Sequence, residues 1–257
     1  MGDGTPDISS GIFEVDLIFP RNGTYTPQAL MPIVFALQNP SLASTLGATI
    51  YWGLREGNNW SAPGSITDGG FELFTLNSTS SGPHLATSFV NTLAYPDGSW
   101  TFAWTLEVTN CSQAERPDCL QSESQNCSLT YNPNKIISFQ SGQTPSLEAA
   151  TSSDMCGTME AFAFNVTSAG DTEEVCGFLG PSPTTNPCAT TVNASVASSI
   201  WAEATAFACD PRERSAYPNV TCPTSSSKSN AARQSGMVAA STLLTLLAMV
   251  TALIHLG

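Results

Sequence analysis

Residues 99–108, SWTFAWTLEV, constrain the fold more than any other part of the sequence. Large apolar side chains occupy every second position, namely Trp100, Phe102, Trp104, Leu106 and Val108. Thr101, Thr105 and Glu107 lie between them. A period of two is the pattern of a β-strand with one face in a hydrophobic core. A chain with this segment must therefore build a sheet that buries a broad aromatic face.

Shorter runs of the same character predict further strands over residues 13–19, 31–40, 49–54, 71–76, 85–94, 135–140 and 159–166. In the first run, apolar residues share one face, whereas Glu14 and Asp16 point the other way and are expected to be solvated. Tyr95-Pro96-Asp97-Gly98 predicts a hairpin between two adjacent runs, because Pro and Gly supply the dihedral angles of a tight turn.

One segment has helical periodicity instead. Apolar residues recur at three- and four-residue spacing in Val192, Val196, Ile200, Ala204 and Phe207. The spacing predicts a helix over 192–207, with Asn193 near its start. Together these patterns predict a mainly β protein, an antiparallel β-sandwich with one accessory helix. A single domain is the simplest arrangement, and two smaller sandwiches are the alternative.

The eight cysteines all lie in the second half of the chain: Cys111, Cys119, Cys127, Cys156, Cys176, Cys188, Cys209 and Cys222. None forms a C-x-x-C pair, which argues against zinc ribbons and thioredoxin-like redox sites. An even number in a Ser- and Thr-rich chain predicts four structural disulfides, with 105 pairings open. The second half is therefore expected to be disulfide-stabilised, while residues 1–110 depend on core packing.

The C-terminal residues have the pattern of a glycosylphosphatidylinositol (GPI) attachment signal. Residues 237–257 contain no charged side chain and follow a polar spacer and small residues. The small triplet beginning at Asn230 and the one beginning at Ser225 are both candidate attachment positions. We expect a Ser-rich linker and attachment region over 223–236 and a tail over 237–257 that is removed on attachment. A plain membrane tail anchor is the alternative.

The N-terminal residues lack the leader that such an anchor requires. Residues 1–10 contain neither a basic stretch nor an apolar stretch. We therefore expect a signal peptide to precede residue 1, and residues 11–222 to form a β-rich extracellular domain. N-x-[ST] sequons, which mark N-glycosylation in secreted chains, occur at Asn22, Asn59, Asn77, Asn110, Asn126, Asn165, Asn193 and Asn219.

Several segments resemble a known family. FEVDLIFPRNGTYTP, PIVFALQNP, EAFAFNVTSAG and NPCATTVNASVASSI are similar to secreted and GPI-anchored proteins of filamentous ascomycete fungi, catalogued as domain of unknown function 7136. The resemblance runs through most of residues 11–210. It implies an extracellular setting and a fungal source, and it carries no catalytic residue. The segment CSQAERPDCLQSESQNC (111–127) departs from the expected pattern.

The sequence contains no catalytic or metal motif. His84 is the one histidine before residue 237, and no G-x-S-x-G elbow accompanies it. No calcium-binding loop is present, so no metal and no cofactor are predicted. With 8 basic against 21 acidic residues, the net charge of −13 argues against nucleic-acid binding. Glu14 and Asp16 could form a glycosidase pair, since two carboxylates suffice for that chemistry, and the alternative is a solvated strand face.

Three functions remain as hypotheses. The preferred one is a non-enzymatic GPI-anchored glycoprotein at the plasma membrane or cell wall, with the lipid bilayer and cell-wall polysaccharide as partners. The second is a carbohydrate-binding module, for which Trp60, in the polar turn NNWS, is a candidate ligand platform. The third is a carbohydrate-active enzyme with two carboxylates. Trp52, Trp100 and Trp104 are predicted to lie in the core.

Overall fold

A computed structural model describes residues 10–57, 67–76, 82–95, 97–111, 127–131, 134–139, 142–170 and 175–223, with only the backbone described for 127–131 and 134–139. The strands are β1 (Gly11–Phe19), β2 (Gly23–Tyr25), β3 (Met31–Gln38), β4 (Thr49–Glu56), β5 (Thr67–Glu72), β6 (His84–Val90), β7 (Gly98–Asn110), β8 (Cys127–Tyr131), β9 (Asn134–Phe139), β10 (Glu160–Ala169) and β11 (Gly177–Leu179). The helices are α1 (Leu42–Thr45), α2 (Leu147–Ala150) and α3 (Ala194–Ala208).

All of these strands belong to one hydrogen-bonded sheet. Its order is β2-β9-β7-β11-β10-β1-β3-β6, and β4 also pairs with β7, β5 with β4, and β8 with β7. The end strands β5 and β6 lie beside each other, so the sheet is nearly closed. The mainly β prediction is confirmed. The two separate antiparallel sheets of a sandwich are not confirmed, because the strands form one sheet and two of its pairings, β2/β9 and β7/β11, are parallel.

Strand β7 runs through the middle of this arrangement. Along one side it pairs with β4 from Trp100 to Glu107, and along the other it pairs first with β9 and then with β8. Its five alternating apolar side chains are buried, as predicted, and the rings of Trp104 and Phe35 lie 4.9 Å apart between their centroids. The Trp104 indole Nε1 donates a hydrogen bond to Glu160 Oε2 at 3.0 Å, which satisfies its polar atom.

The predicted hairpin at Tyr95–Gly98 is wrong. Strand β6 pairs with β3, and β7 pairs with β4, β8, β9 and β11, so the two strands that flank the turn do not pair with each other. Two strands end earlier than the apolar runs predicted. Strand β5 ends at Glu72, before the 3-10 turn Leu73–Thr75, and β6 ends at Val90, before a 3-10 turn that Asn91 caps. Side-chain periodicity identifies strands correctly, but the choice of partner depends on contacts that are distant in sequence.

The helices pack against the sheet and add buried residues to its core. Helix α2 packs on β1, and α3 packs on β6 and α2. Helix α3 confirms the helix predicted over 192–207. Asn193 is its N-cap, because its side-chain Oδ1 accepts a hydrogen bond from the Val196 N–H at 3.0 Å. Among the described residues, no helix combines the length and the apolar composition that crossing a bilayer requires.

Within the described residues, three disulfides join parts of the second half: Cys111–Cys176, Cys156–Cys188 and Cys209–Cys222. For these six cysteines the predicted disulfide bonding is confirmed. Cys119 lies outside the described residues, and only the backbone of Cys127 is described. The first bond fastens the end of β7 to the residue before β11, so it holds together strands that are 65 residues apart in sequence.

We expect the Cys111–Cys176 and Cys209–Cys222 bonds to differ in their contribution to stability. Replacing Cys111 and Cys176 together by alanine should lower the free energy of unfolding by about 4 kcal/mol, because the bond closes a long loop in the unfolded chain. Replacing Cys209 and Cys222, which are 13 residues apart, should cost about 3 kcal/mol. Denaturant unfolding monitored by tryptophan fluorescence measures both. A larger loss for the short loop would contradict this ranking.

Candidate functional site

The strongest candidate for a binding site is a cleft on the outer face of β4, β5 and β7, which we call the sheet cleft. It has a volume of about 610 Å³, which falls within the usual range of ligand sites. Alternation along β4 creates it, since Ile50, Trp52 and Leu54 point into the core while Tyr51, Gly53 and Arg55 point outward. The strand is central, with β5 on one side and β7 on the other.

The floor of the sheet cleft is low because small residues occupy neighbouring strands. Gly53 on β4 lies opposite Ala103 on β7, and Gly70 on β5 lies opposite Tyr51. Glycine in a strand interior often marks a place where another group approaches closely. Here that group is Tyr51: a Cβ at Gly70 would lie 3.3 Å from Tyr51 Cδ1 and 2.9 Å from the Ile50 carbonyl oxygen.

Tyr51 therefore lies against the bare backbone of Gly70. Its side chain is 51% exposed, although it sits in the interior of a sheet rather than on a loop. A phenol ring held against a strand offers solvent a fixed apolar surface with a hydroxyl at its end. This arrangement is a preorganised platform, because the packing beneath the ring restrains it before any ligand arrives.

Polar groups surround this platform. Asp68 and Glu72 lie on β5, and Arg55 lies on β4 with its side chain folded back over Gly53. Two carboxylates against one guanidinium leave the sheet cleft with an acidic balance, in keeping with the net charge of the chain. Such a cleft repels polyanions and suits neutral ligands that carry many hydroxyl groups.

The buried indole of Trp52 forms part of the same wall. Trp52 stacks on Phe102 with 6.2 Å between ring centroids, and its indole extends beneath Gly69 of β5. Its Nε1 is buried and has no hydrogen-bond partner among the described residues. A buried donor without an acceptor costs about 1–3 kcal/mol, and such orphaned groups are uncommon in folded proteins.

Glu14 and Asp16 are placed differently from the prediction. Their expected solvated face is wrong, because Glu14 is 2% exposed and Asp16 is 0% exposed. Strand β1 lies between β3 and β10 rather than at an edge, and the loop before Cys188 covers its outer face. Both oxygens of Glu14 accept from the Asn186 N–H, at 2.7 and 2.9 Å. A saccharide cannot reach two carboxylates buried in this way, so the pair is structural.

The environment of Asp16 is unusual for a carboxylate. Burial raises the pKa of Asp16 to about 8, and the hydrogen bond that Gln38 Nε2 donates to its Oδ2 at 3.0 Å opposes this rise. The side chain of Glu14 adds to it, both as a hydrogen-bond partner and as a negative charge. Asp16 therefore holds a proton at neutral pH, and Glu14 and Asp16 need not be negatively charged together.

The other predicted site residues do not converge. His84 is half-buried at the start of β6, and the described residues contain no cluster that could hold a metal ion. Trp52, Trp100 and Trp104 are buried, which confirms that prediction. The following lie outside the described residues: Trp60, Asn59, Asn77, Asn126, Ser225 and Asn230.

The remaining sequon asparagines differ in exposure. Asn22, Asn193 and Asn219 are exposed, and Asn165 is half-buried. Asn193 caps α3 through its oxygen, so its nitrogen is available to carry a glycan. Asn110 is 4% exposed at the end of β7, next to the Cys111–Cys176 bond, so we expect it to remain unmodified.

The sequence reasoning missed the sheet cleft, and two signals could have found it. The run TIYWGL places Tyr51 on the face opposite to the core face that Trp52 occupies, and the pair Gly69-Gly70 leaves the middle of β5 without side chains. Both features are visible in the sequence. Neither identifies a cleft by itself, because only the strand register shows that Tyr51 lies opposite Gly70.

Asp16 makes stability depend on pH. Between its ordinary pKa of 3.8 and about 8, the folded chain keeps a proton that the unfolded chain releases. The free energy of unfolding should therefore fall as pH rises through this window, by up to about 1.4 kcal/mol per pH unit. Asp16→Asn, which mimics the protonated acid, should flatten that fall when unfolding is measured across the window.

Asp154→Asn is the matched control, since Asp154 is exposed and should keep the wild-type slope. An unchanged slope in Asp16→Asn would show that Asp16 is already ionised in the folded protein.

The comparisons with known proteins identify one family. No curated protein and no solved structure matches the chain significantly. A family model described as Domain of unknown function (DUF7136) matches residues 8–222, which include every described strand and helix. The matched region contains the sheet cleft, the Glu14–Asp16 pair and the three disulfides. The chain therefore belongs to the DUF7136 family of domains of unknown function.

Proposed function

We propose that this protein is a non-enzymatic glycoprotein of the fungal cell surface that binds a neutral saccharide in the sheet cleft. The observation that carries the proposal is Tyr51, half exposed and held against Gly70 in a cleft bordered by Asp68 and Glu72. The proposal assigns the ligand platform to Tyr51; Trp60, the candidate from the sequence, lies outside the described residues.

The chemistry of a sugar ring fits these features. One face of a pyranose presents C–H groups, which pack well on an aromatic ring, while its hydroxyls project around the rim. The carboxylates of Asp68 and Glu72 can accept hydrogen bonds from those hydroxyls, and Arg55 can donate to them. A ligand bearing sulfate or carboxylate groups would instead meet the two acidic side chains at close range.

The geometry favours binding over hydrolysis. Asp68 and Glu72 lie on one strand, four residues apart and facing the same side. At about 3.3 Å per residue their Cα atoms are about 13 Å apart. Strand side chains stand roughly perpendicular to the sheet, so the two carboxyl groups keep most of that separation. The carboxyl groups of a glycosidase pair are typically about 5–9.5 Å apart. The two carboxylates that line the cleft are therefore better placed to hold a sugar than to cleave its linkage.

The binding proposal is tested by a glycan array that includes chitin and β-glucan fragments, followed by calorimetry on the best ligand. Tyr51→Ala should weaken binding about tenfold, the equivalent of 1.4 kcal/mol for one lost stacking contact. The melting temperature should change little, because Tyr51 is half exposed.

The matched control is Phe178→Ala, which removes another exposed aromatic side chain, on β11 and outside the sheet cleft. It should bind like the wild type. The proposal is overturned if the folded protein binds no neutral glycan. If Tyr51→Ala and Phe178→Ala lose the same affinity, the binding is nonspecific and does not depend on the sheet cleft.

We also propose that the chain is held at the outer face of the plasma membrane, or in the wall, by a GPI anchor attached at Asn230 or Ser225. The support comes from the small residues, polar spacer and apolar tail of residues 223–257. The disulfides are consistent with an oxidising compartment.

Phosphatidylinositol-specific phospholipase C should release the protein from intact fungal cells that express the full chain behind a signal peptide, because the enzyme cuts the lipid from a GPI anchor. Immunoblotting of the supernatant measures the release, and a GPI-anchored reporter in the same cells is the control. Retention of the chain while the reporter is released would argue for a different attachment.

A further inference from the structure

A second cavity lies where the sheet nearly closes, between the end strands β5 and β6, and we call it the seam cavity. Its volume is about 420 Å³. One wall is Thr67–Gly70 of β5, another is Ser88–Val90 of β6, and the third comes from the end of α3 and the residues after it. Nothing in the sequence patterns predicted it, because its walls come from three distant parts of the chain.

Aromatic side chains dominate the third wall. The ring of Phe207 lies 6.3 Å from that of Phe89 and 5.8 Å from that of Tyr217, measured between centroids, and the last pair meets edge to face. Phe207 is 41% exposed, so part of its ring faces solvent. Tyr95 also lines the cavity, and its own ring stacks on Trp100.

This wall is fixed to the sheet by hydrogen bonds and by a disulfide. The Tyr217 hydroxyl donates to the Phe89 carbonyl oxygen at 2.6 Å, and Asn91 Nδ2 donates to the Ala216 carbonyl oxygen at 2.9 Å. The Cys209–Cys222 bond closes the segment that contains Tyr217. The seam cavity is therefore formed before any ligand binds, which lowers the entropic cost of binding.

The seam cavity and the sheet cleft share one partition. Trp52, Asp68, Gly69 and Gly70 line both of them. The partition carries no side chain at its two central positions, and none would fit without movement. A Cβ at Gly69 would lie 2.5 Å from Trp52 Cζ2, and one at Gly70 would lie 2.9 Å from the Ile50 carbonyl oxygen. Between the two cavities, the backbone of β5 is therefore not covered by side chains of its own.

We propose that the two cavities are successive subsites for one ligand, a linear neutral oligosaccharide that crosses β5 at Gly69-Gly70. The inference rests on the proposed saccharide binding and deepens it by naming the ligand's form. Tyr51 would receive one end of the chain and Phe207 the other. Asp68, exposed between them, can accept hydrogen bonds from hydroxyls of either part.

A chain-like saccharide fits the combined surface better than a small apolar ligand does. Both cavities pair aromatic rings with polar groups, in the seam cavity Ser88 and Asp68 beside Phe89 and Phe207. Apolar ligands favour enclosed pockets, whereas both of these cavities are open along the surface and meet at one strand. An open path with aromatic surfaces at intervals suits a repeating polymer whose units present one apolar face each.

The test is the dependence of affinity on ligand length. Calorimetry is performed with β-1,3-glucan and chitin oligosaccharides, from the disaccharide to the hexasaccharide, on the folded, glycosylated chain. For the wild type, affinity should rise about tenfold or more once the ligand is long enough to pass from the sheet cleft into the seam cavity.

Two variants should remove only this gain. Phe207→Ala takes away the exposed ring, and Ala94→Arg places a bulky side chain at an exposed position of the seam cavity. Both should bind the short oligosaccharides as the wild type does and gain less than about threefold with length. Tyr51→Ala should weaken binding at every length, and Phe178→Ala should behave as the wild type.

The outcomes separate the two proposals. If the wild type binds short oligosaccharides and its affinity does not increase with length, the second subsite is refuted while the sheet cleft stands. The second subsite is likewise refuted if Phe207→Ala and Ala94→Arg, with unchanged melting temperatures, keep the full gain. If no neutral oligosaccharide binds at any length, the proposed function itself fails.

Discussion

Strand β7 presents five large apolar side chains to the core and is hydrogen-bonded to β4, β8, β9 and β11. The remaining architecture is arranged around that strand, because its aromatic face must be covered from several directions at once. Phe35 of β3 and Phe162 of β10 pack against Trp104, so strands that do not pair with β7 contribute to its burial. Strand β4 pairs with β7 along most of its length, and the outer face of these two strands and β5 forms the sheet cleft.

The same arrangement explains why two regions of the sheet, one around β1 and one around β4 and β5, differ in chemistry. Around β1 the loop that Asn186 fastens to Glu14 covers the face that carries both acids, and Asp16 is buried there in its protonated form. Around β4 and β5 the outer face is open to solvent, because Gly53, Gly70 and Ala103 have little or no side chain to fill the cleft. Burial near β1 raises the pKa of Asp16, so the folded state is favoured at low pH. The open face of β4 and β5 is a surface that a ligand can reach.

Much of the fold could be predicted from local patterns. Apolar runs and alternation identified β1, β3, β4, β6, β7, β9 and β10, and helical spacing identified α3, because each segment is long enough to show its pattern. Short strands such as β2 and β11 were missed, since three residues are too few to show a period. The face of β1 that carries Glu14 and Asp16 was expected to be solvated because polar residues usually are. Hydrogen bonds from Asn186 and Gln38, far away in sequence, are what allow it to be buried.

By itself the sequence determined that this chain builds a mainly β core and that disulfides join parts of its second half. It also identified the family, through segments such as those that contain Pro20 and Asn193. These properties follow from local periodicity and from residue type, which a linear sequence displays directly. Only the tertiary structure decided which strands pair, which asparagines and carboxylates are buried, and that Tyr51 meets Gly70. Each of these depends on register between strands, and register is set by the simultaneous packing of side chains from distant parts of the chain.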